Sequence, residues 1–416
     1  MQTPDAGLSL ETITVGAGYD PASAGGAAKP PAYLTSTFVY PSAAAAKDLH
    51  AAFFDGAATT AKGWIYGRLG HPNLDIVEAR LAALDGAEDT ACFASGMAAV
   101  SAALLALLGP GDTVLMSRPI YGGTDALIGG ELPRFGIRGF GFADGCDADA
   151  IRRAADEAQA AGPIGLIWIE TPANPTAAVV DIALVARIAD EIGVATGRRP
   201  LVAVDNTFLG PFVQRPLAHG ADLVMTSLTK YAGGHSDLLA GGLSGSAALI
   251  ARLKAFRTLV GSTLDAHSAW LLTRSLETMH LRTERAAANA AAIAGFLADH
   301  PKVASVTWLG FLGQGTPARA AFERQASGAG STFSFRIRGG EAEAFRLLDA
   351  LQVLKMAVSL GGTETLICHP ASTTHYAVPR ARREAAGIDD ATLRVSVGIE
   401  AAADLIADLS RALEAV

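Results

Sequence analysis

Near-continuous apolar runs alternate with alanine-rich stretches between Gly63 and about Asp265. Runs of this kind are typical of parallel strands covered on both faces, and the stretches between them have the composition of crossover helices. A helix predicted over residues 182–191 is one such crossover. The pattern therefore predicts an α/β fold with a mainly parallel sheet. The clearest predicted strands are residues 113–117, 164–170, 201–205 and 222–227.

The two ends of the chain differ from this middle part. Residues 1–63 mix Gly, Pro and Ala and predict an extended N-terminal arm with one short helix near residues 43–54. The order of strands and helices after the middle part predicts a smaller C-terminal α+β domain. We therefore divide the chain into the arm, a large domain over 64–265 and a small domain over 266–416. The elements predicted in the small domain are a long helix at 266–300, a strand at 331–337, a helix at 341–351 and a strand at 393–397.

Composition and charge narrow the class of protein. The 416 residues are 50% hydrophobic and 18% charged, as in a compact globular protein. With 33 basic and 41 acidic residues the net charge is −8, and no basic cluster suits a nucleic-acid partner. Three scattered cysteines fit a reducing compartment, and neither a disulfide framework nor a metal site. Without a signal sequence or an apolar stretch of about 20 residues, we expect a cytoplasmic protein that does not span a membrane.

Polar residues capable of chemistry follow three of the predicted strands. Glu170 and Asn174 follow one strand, Asp205 the next, and Lys230 a third. Ligands of an open parallel sheet bind outside the carboxyl ends of its strands, so these side chains are expected to share one crevice. A lysine after a strand is ordinarily a surface residue, but beside a carboxylate it suits pyridoxal phosphate (PLP), whose pyridine nitrogen must stay protonated. We therefore predict that Lys230 holds PLP as a Schiff base and that Asp205 faces the pyridine nitrogen.

The cofactor's phosphate needs hydrogen-bond donors, and the helix predicted after Ser95 offers them. Its first free N–H groups and the positive end of its dipole form an anion site. Gly96 allows the backbone to approach a ligand closely. The hydroxyls of Ser227 and Thr229 add donors. Taken alone, the same helix start also fits an ordinary buried helix with a serine cap.

Aromatic and basic side chains elsewhere complete the predicted site. Tyr121 follows the strand at 113–117 and is placed to stack on the pyridine ring. Tyr66 and Arg68, at the junction of the arm and the large domain, offer a hydroxyl and a guanidinium to a phosphate. Arg394, in the small domain, is suited to binding a substrate carboxylate through two parallel hydrogen bonds. Each residue alone also fits an ordinary turn or strand position.

Short motifs from about Pro31 to the end of the chain follow the order of those in a known enzyme family. They are Tyr66-Gly-Arg68, Ser95-Gly-Met97, Tyr121-Gly-Gly-Thr124, Glu170-Thr-Pro-Ala-Asn-Pro-Thr176, Asp205-Asn-Thr-Phe208, Ser227-Leu-Thr-Lys-Tyr231, Ser359-Leu-Gly-Gly362, His369-Pro-Ala-Ser-Thr-Thr-His375 and Leu393-Arg-Val-Ser-Val-Gly-Ile-Glu400. With these motifs the sequence resembles the PLP-dependent transsulfuration family of cysteine and methionine metabolism. Methionine γ-lyase, cystathionine γ-lyase and cystathionine γ-synthase are the types it resembles.

The resemblance implies a PLP enzyme of fold type I, a homotetramer made of two catalytic dimers. It also implies that Lys230 removes the substrate's Cα proton, that Asp205 pairs with the pyridinium and that Tyr121 protonates the leaving thiol. The further contacts it implies are Gly96, Met97, Ser227 and Thr229 with the phosphate, Tyr66 and Arg68 with the phosphate of the neighbouring subunit, Asn174 with the cofactor's phenolic oxygen or the substrate, and Ser359 and Arg394 with the substrate carboxylate.

The reaction type within the family depends on fewer residues. Methionine γ-lyases typically carry a cysteine where this chain has Gly123, and the synthases and cystathionine lyases carry glycine. In the other direction, Val358 occupies a substrate-binding position where enzymes that handle cystathionine commonly carry a glutamate, and an apolar side chain suits a methyl thioether. We expect γ-elimination from methionine or cystathionine, which gives 2-oxobutanoate, ammonia and a thiol. The alternative is γ-replacement on an O-acylhomoserine, by a cystathionine γ-synthase or a homoserine-ester sulfhydrylase.

Overall fold

The strands of the protein form two sheets, and helices cover both. The computed structural model describes residues 7–55, 63–376 and 378–416. The strands are β1 (Asp89–Phe93), β2 (Thr113–Ser117), β3 (Arg138–Phe142), β4 (Ile164–Glu170), β5 (Leu201–Asp205), β6 (Leu223–Thr226), β7 (Gly241–Gly245), β8 (Val303–Thr307), β9 (Thr332–Ile337), β10 (Lys355–Met356), β11 (Leu366–Cys368) and β12 (Thr392–Ser396). The helices are α1 (Leu10–Gly16), α2 (Ala43–Asp55), α3 (Pro72–Asp85), α4 (Gly96–Leu107), α5 (Gly122–Ala126), α6 (Ala148–Ala161), α7 (Ile182–Thr196), α8 (Ala247–Val260), α9 (Ala266–Leu276), α10 (Met279–Asp299), α11 (Pro317–Gln325), α12 (Glu341–Ala350), α13 (Arg380–Ala385) and α14 (Ala402–Glu414).

The larger sheet has seven strands in the order β1-β7-β6-β5-β4-β2-β3. Strand β7 is antiparallel to both of its neighbours, and the other adjacent pairs are parallel. The predicted α/β fold with a mainly parallel sheet is thereby confirmed, as are the strands predicted at 113–117, 164–170 and 201–205. The strand predicted at 222–227 is one residue shorter at each end.

Alternate residues of the central strands face two helical layers, which explains why those strands read as continuous apolar runs. Met116 and Trp168 pack in the cluster that contains α4 and α8. Leu115 and Ile167 point the other way, into the cluster formed by α6 and α7. All four side chains are almost fully buried. The sheet is therefore a rigid middle layer, and its carboxyl edge is the place where loops can carry function.

Strand β7 was not predicted, because glycine is rare inside strands and the segment has the sequence Gly-Gly-Leu-Ser-Gly. Close packing explains its composition. A Cβ atom on Gly241 would lie 2.3 Å from the carbonyl oxygen of Ser95, at the start of α4. The small strand thus lets α4 begin directly against the sheet, at the carboxyl edge.

The smaller sheet has the order β10-β11-β12-β9-β8, with β12 antiparallel to both β11 and β9. Helices α10, α12 and α14 pack against it through buried side chains such as Ile293, Leu347 and Leu409. The strands predicted at 331–337 and 393–397 and the helix at 341–351 are confirmed within one residue at each end.

The single helix predicted over 266–300 is wrong. The structure has two helices, α9 and α10, separated at Glu277 and Thr278. Thr278 has φ −111° and ψ 7°, outside the helical region, and precedes the first residue of α10. Sequence periodicity missed this break because neither residue is a strong helix breaker.

The predicted arm contains more regular structure than the one short helix expected, which is present as α2. Its first helix, α1, packs on α3 because Ile13 lies in one buried cluster with Leu74, Val77 and Leu81. Residues 1–6 and 56–62 of the arm lie outside the described part of the chain. The division at residues 63 and 265 stays a prediction.

Among the described residues, no helix has both the length and the apolar character needed to cross a bilayer.

Candidate active site

A cavity of about 770 Å³ opens at the carboxyl edge of the larger sheet, beside the start of α4. It lies where the sequence predicts the crevice, and the loops after β4, β5 and β6 supply much of its wall. Most of the predicted site residues line it. These are Gly96, Met97, Tyr121, Asn174, Asp205, Ser227, Thr229, Lys230, Val358, Ser359 and Arg394.

Lys230 lies in the turn after β6, and its Nζ atom donates a hydrogen bond of 2.8 Å to Oγ of Ser359. Burial lowers the pKa of this lysine to about 8, with a further contribution from the charge of Arg394. A neutral amine is therefore more accessible near neutral pH than in an ordinary lysine, whose pKa is about 10.4. The geometry suits a lysine that acts as a nucleophile or base.

Asp205 ends β5 and is 7% exposed. Its Oδ1 atom accepts hydrogen bonds from the Thr207 backbone N–H (3.0 Å) and the Thr207 hydroxyl (2.6 Å). Burial raises the pKa of Asp205. Among the described residues it forms no ion pair, so this buried carboxylate suits a cationic group that enters from the cavity.

Glu170 lies opposite Asp205 on the neighbouring strand β4. The sequence places it in the predicted crevice but assigns it no role. Its Oε2 atom accepts from the N–H of Tyr121 at 2.6 Å and its Oε1 atom from the N–H of Asn174 at 2.7 Å. One carboxylate therefore joins the loops that carry two predicted site residues. The sequence motif that begins at Glu170 shows that this residue ends a strand. It gives no sign of the hydrogen bond to Tyr121, because the two residues are 49 positions apart in the chain.

Burial, with a contribution from the Asp205 carboxylate, raises the pKa of Glu170 to about 8. Two buried carboxylates side by side do not readily both carry a negative charge unless a cation is near. The protonated pyridine nitrogen of PLP is such a cation. The pair therefore fits the predicted cofactor.

Replacing Glu170 with glutamine is expected to lower kcat/KM about tenfold or more. The amide can accept only one of the two N–H bonds, and losing a hydrogen bond to a charged group costs about 1.5–3 kcal/mol. Kinetics of the purified Glu170→Gln protein test this, with the exposed Glu157→Gln on α6 as the control. Equal kcat/KM for the two variants would show that Tyr121 and Asn174 are held without this carboxylate.

The start of α4 has the features of an anion site. Ser95 caps the helix, because its side chain accepts from the N–H of Ala98 at 3.0 Å. A Cβ atom at Gly96 would lie 2.8 Å from Oγ of Ser227, so glycine allows this hydroxyl to lie directly beside the start of the helix. The hydroxyl of Thr229 lies in the same cavity, although it donates to the Ala240 carbonyl at 3.1 Å. The space and its donors fit a phosphate group.

Arg394 comes from β12 of the smaller sheet and is 2% exposed, so it is not a solvent-facing strand residue. One guanidinium nitrogen donates to the Ser359 carbonyl (2.6 Å) and the other to Oδ1 of Asn174 (3.2 Å). Ser359 has φ +93°, a conformation that a residue with a side chain rarely adopts. Strain of this kind is typical of functional sites, and here Ser359 contacts both Lys230 and Arg394.

Two predicted site residues do not line the cavity of their own chain. Tyr66 is 42% exposed. The guanidinium of Arg68 donates to the carbonyl of Thr258, near the end of α8. The contact of Tyr66 and Arg68 with the phosphate bound by a neighbouring subunit stays a prediction.

The sequence matches, from residue 11 to residue 414, the family described as Cys/Met metabolism PLP-dependent enzyme. It is 40% identical over 400 residues to L-methionine gamma-lyase of Pseudomonas putida, an alignment that covers 96% of this chain and 95% of the relative. It is also 38% identical over 403 residues to cystathionine gamma-synthase of Mycobacterium tuberculosis, covering 97% and 96% of the two chains.

The fold is similar to that of cystathionine gamma-lyase from Lactobacillus plantarum, whose crystal structure was solved with L-serine. The TM-score is 0.87 and the sequence identity 32%, and the superposition covers 98% of this chain and 99% of the other.

Proposed function

The chain belongs to the Cys/Met metabolism family of PLP-dependent enzymes, and from that premise we propose that it is a γ-elimination lyase acting on methionine or cystathionine. PLP is its cofactor. The reaction takes up one water molecule and releases 2-oxobutanoate, ammonia and a thiol. The observation that carries the proposal is the apolar wall of the cavity, which favours methionine.

Bound PLP supplies an electron sink that stabilises negative charge developing on the substrate's carbon atoms. We assign to Lys230 the covalent hold on the cofactor and the removal of the Cα proton, which its lowered pKa supports. Asp205 would face the pyridine nitrogen of bound PLP and would keep it protonated. Tyr121, which lines the cavity and is 44% exposed, would stack on the ring and would donate a proton to the sulfur of the leaving thiol.

The remaining cavity residues divide into a phosphate group and a carboxylate group. Gly96, Met97, Ser227 and Thr229 would hold the phosphate at the start of α4. Arg394 holds the substrate carboxylate, because its guanidinium fork is anchored at the cavity wall by hydrogen bonds to Ser359 and Asn174. We also assign to Asn174 a contact with the substrate or with the phenolic oxygen of the cofactor.

A second copy of the chain completes the site in this proposal. Arg68 is fixed beside Thr258, and the next two residues, Leu259 and Val260, are 83% and 54% exposed. Adjacent exposed apolar side chains favour a surface that another subunit covers. Tyr66 and Arg68 then reach the partner's phosphate, and two such dimers form the homotetramer.

The substrate's side chain meets an apolar wall in the cavity. Val358 and Leu239 both line it, and they are 55% and 65% exposed. The carboxylates among the described lining residues are Glu170 and Asp205, and both are buried at the ends of β4 and β5. A methyl thioether suits this surface, whereas the distal ammonium and carboxylate of cystathionine gain no charged partner from it.

Replacing Val358 with glutamate is expected to shift the preference from methionine toward cystathionine. A carboxylate in the apolar wall disfavours a methyl thioether and offers the distal ammonium of cystathionine an ion pair. We expect the ratio of the two kcat/KM values to change about tenfold or more, since a hydrogen bond to a charged group contributes about 1.5–3 kcal/mol. Parallel assays with both substrates test this, with Val358→Leu as the apolar control; an unchanged ratio would refute the wall as the determinant.

The alternative function is γ-replacement on an O-acylhomoserine, which the similarity to a cystathionine gamma-synthase supports. Gly123 fits this alternative and equally fits a cystathionine lyase. A Cβ atom there would lie 2.6 Å from Cε1 of Tyr121 and 3.0 Å from Sδ of Met97, so the cysteine typical of methionine γ-lyases would require these side chains to shift.

Product assays separate the two functions. The enzyme is incubated with methionine, cystathionine, O-acetylhomoserine and O-succinylhomoserine, each with and without an added thiol. Release of 2-oxobutanoate without thiol supports elimination. Product that forms only when a thiol acceptor is present supports the alternative.

A further inference from the structure

Arg282, on α10, is a buried arginine whose charge faces no carboxylate in the part of the chain that the structure describes. The residue is 9% exposed, and burial lowers the pKa of its guanidinium to about 10. A buried cation without a counter-ion is costly unless its donors are well satisfied. The guanidinium of Arg282 must therefore donate hydrogen bonds to nearby groups. The groups that accept them indicate which segments the arginine holds in place.

The guanidinium of Arg282 joins two backbone segments. One terminal nitrogen donates to the carbonyl of Tyr231 at 2.8 Å. The other donates to the carbonyl of Ser275, near the end of α9, at 2.8 Å and to that of Ala232 at 3.5 Å. Its Nε atom donates to the hydroxyl of Thr278 at 3.2 Å. The break between α9 and α10 is thus tied to the two residues that follow the active-site lysine.

Arg282 adds hydrogen bonds to the turn that carries Lys230. Within the turn, the N–H of Lys230 donates to the Ser227 carbonyl at 3.1 Å and the N–H of Gly234 donates to the Lys230 carbonyl at 2.7 Å. Arg282 supplies donors to the next two carbonyls, which buried backbone requires. Gly234 has φ +67°, and a Cβ atom on it would lie 1.8 Å from Nη1 of Arg282. Glycine at this position therefore leaves the space that the guanidinium occupies.

We propose that Arg282 is a positioning residue for Lys230, and that the Arg282–Gly234 contact fixes the lysine turn against the α9–α10 junction. The proposal rests on the proposed role of Lys230. That lysine has to reach both the cofactor and the Cα proton, and a misplacement of about 1 Å can cost about a hundredfold in rate. In this proposal Arg282 affects Lys230 through its position, because the charge that helps to lower the pKa of Lys230 is that of Arg394 and not that of Arg282.

The test uses the PLP-loaded protein and the variants Arg282→Met and Arg282→Lys. Arg285→Met, one turn on and exposed, is the matched control. The reaction followed is exchange of the Cα proton of L-alanine with deuterated solvent, because L-alanine has no γ-leaving group and the result does not depend on the true substrate. The visible circular dichroism of the bound cofactor and the thermal unfolding temperature are recorded in parallel.

We expect exchange per folded molecule to fall about ten- to a hundredfold in Arg282→Met, with a weaker dichroic band. Arg282→Lys should be intermediate, because lysine keeps the charge and lacks the planar fork. Arg285→Met should match the unmodified protein. If Arg282→Met does not fold, Arg282→Lys and Gly234→Ala decide, and both should lower exchange and dichroism.

Unchanged exchange and dichroism in the folded variants would overturn the proposal. A Lys230→Ala variant measured alongside separates the two possible failures. If it keeps the exchange and the cofactor band, the proposed role of Lys230 fails; if it loses both while Arg282→Met keeps both, only the positioning role fails.

Discussion

Replacing Lys230 with alanine is expected to abolish turnover, with a fall in kcat of at least about a thousandfold. The variant loses the group assigned both to hold the cofactor and to move the Cα proton. Removing a group with two roles slows every step in which it takes part. The visible absorbance band of the covalently held cofactor should disappear in the same variant.

The matched control is Lys355→Ala, because Lys355 is an exposed lysine on β10 outside the cavity. It should keep both the absorbance band and the rate. The assignment of Lys230 would be refuted if Lys230→Ala kept the band after dialysis. Mass spectrometry after borohydride reduction then identifies the residue that carries the cofactor.

The replacement of Asp205 with asparagine should have the next largest effect, lowering kcat/KM about a hundredfold or more. Asparagine keeps the shape and the contact to Thr207. It removes the negative charge that we propose faces the pyridine nitrogen. Removing one partner of a buried ion pair costs about 3–5 kcal/mol, and each 1.36 kcal/mol corresponds to a tenfold change in rate.

Steady-state kinetics and the dissociation constant of PLP, measured by ultrafiltration, test this prediction. The control is Asp156→Asn, which changes an exposed carboxylate on α6. A kcat/KM of Asp205→Asn within about threefold of the control would mean that the pyridine nitrogen has another partner.

The carboxyl edge of the larger sheet could be predicted from the sequence because its strands are continuous apolar runs. Once β4, β5 and β6 are placed side by side, the residues that end them must meet. The structure accordingly puts Asp205 and Lys230 around one cavity. Their roles on the cofactor follow from chemistry and remain predictions.

Features that depend on contacts between distant residues could not be predicted in this way. The two hydrogen bonds of Glu170 and those of Arg282 join segments that have no periodic relation in the sequence. Strand β7 forms because it pairs with β1 and β6, although its glycine-rich composition is typical of a loop. The periodicity of a sequence indicates which face of a helix or strand is buried. It does not indicate which backbone carbonyl a buried arginine contacts.

The most direct test of the proposed function is the release of 2-oxobutanoate from L-methionine by the PLP-loaded protein without any added thiol. We expect equimolar 2-oxobutanoate, ammonia and methanethiol. A protein that forms no 2-oxobutanoate from methionine or cystathionine, and that converts an O-acylhomoserine only when a thiol is present, would contradict the assignment as a γ-elimination lyase.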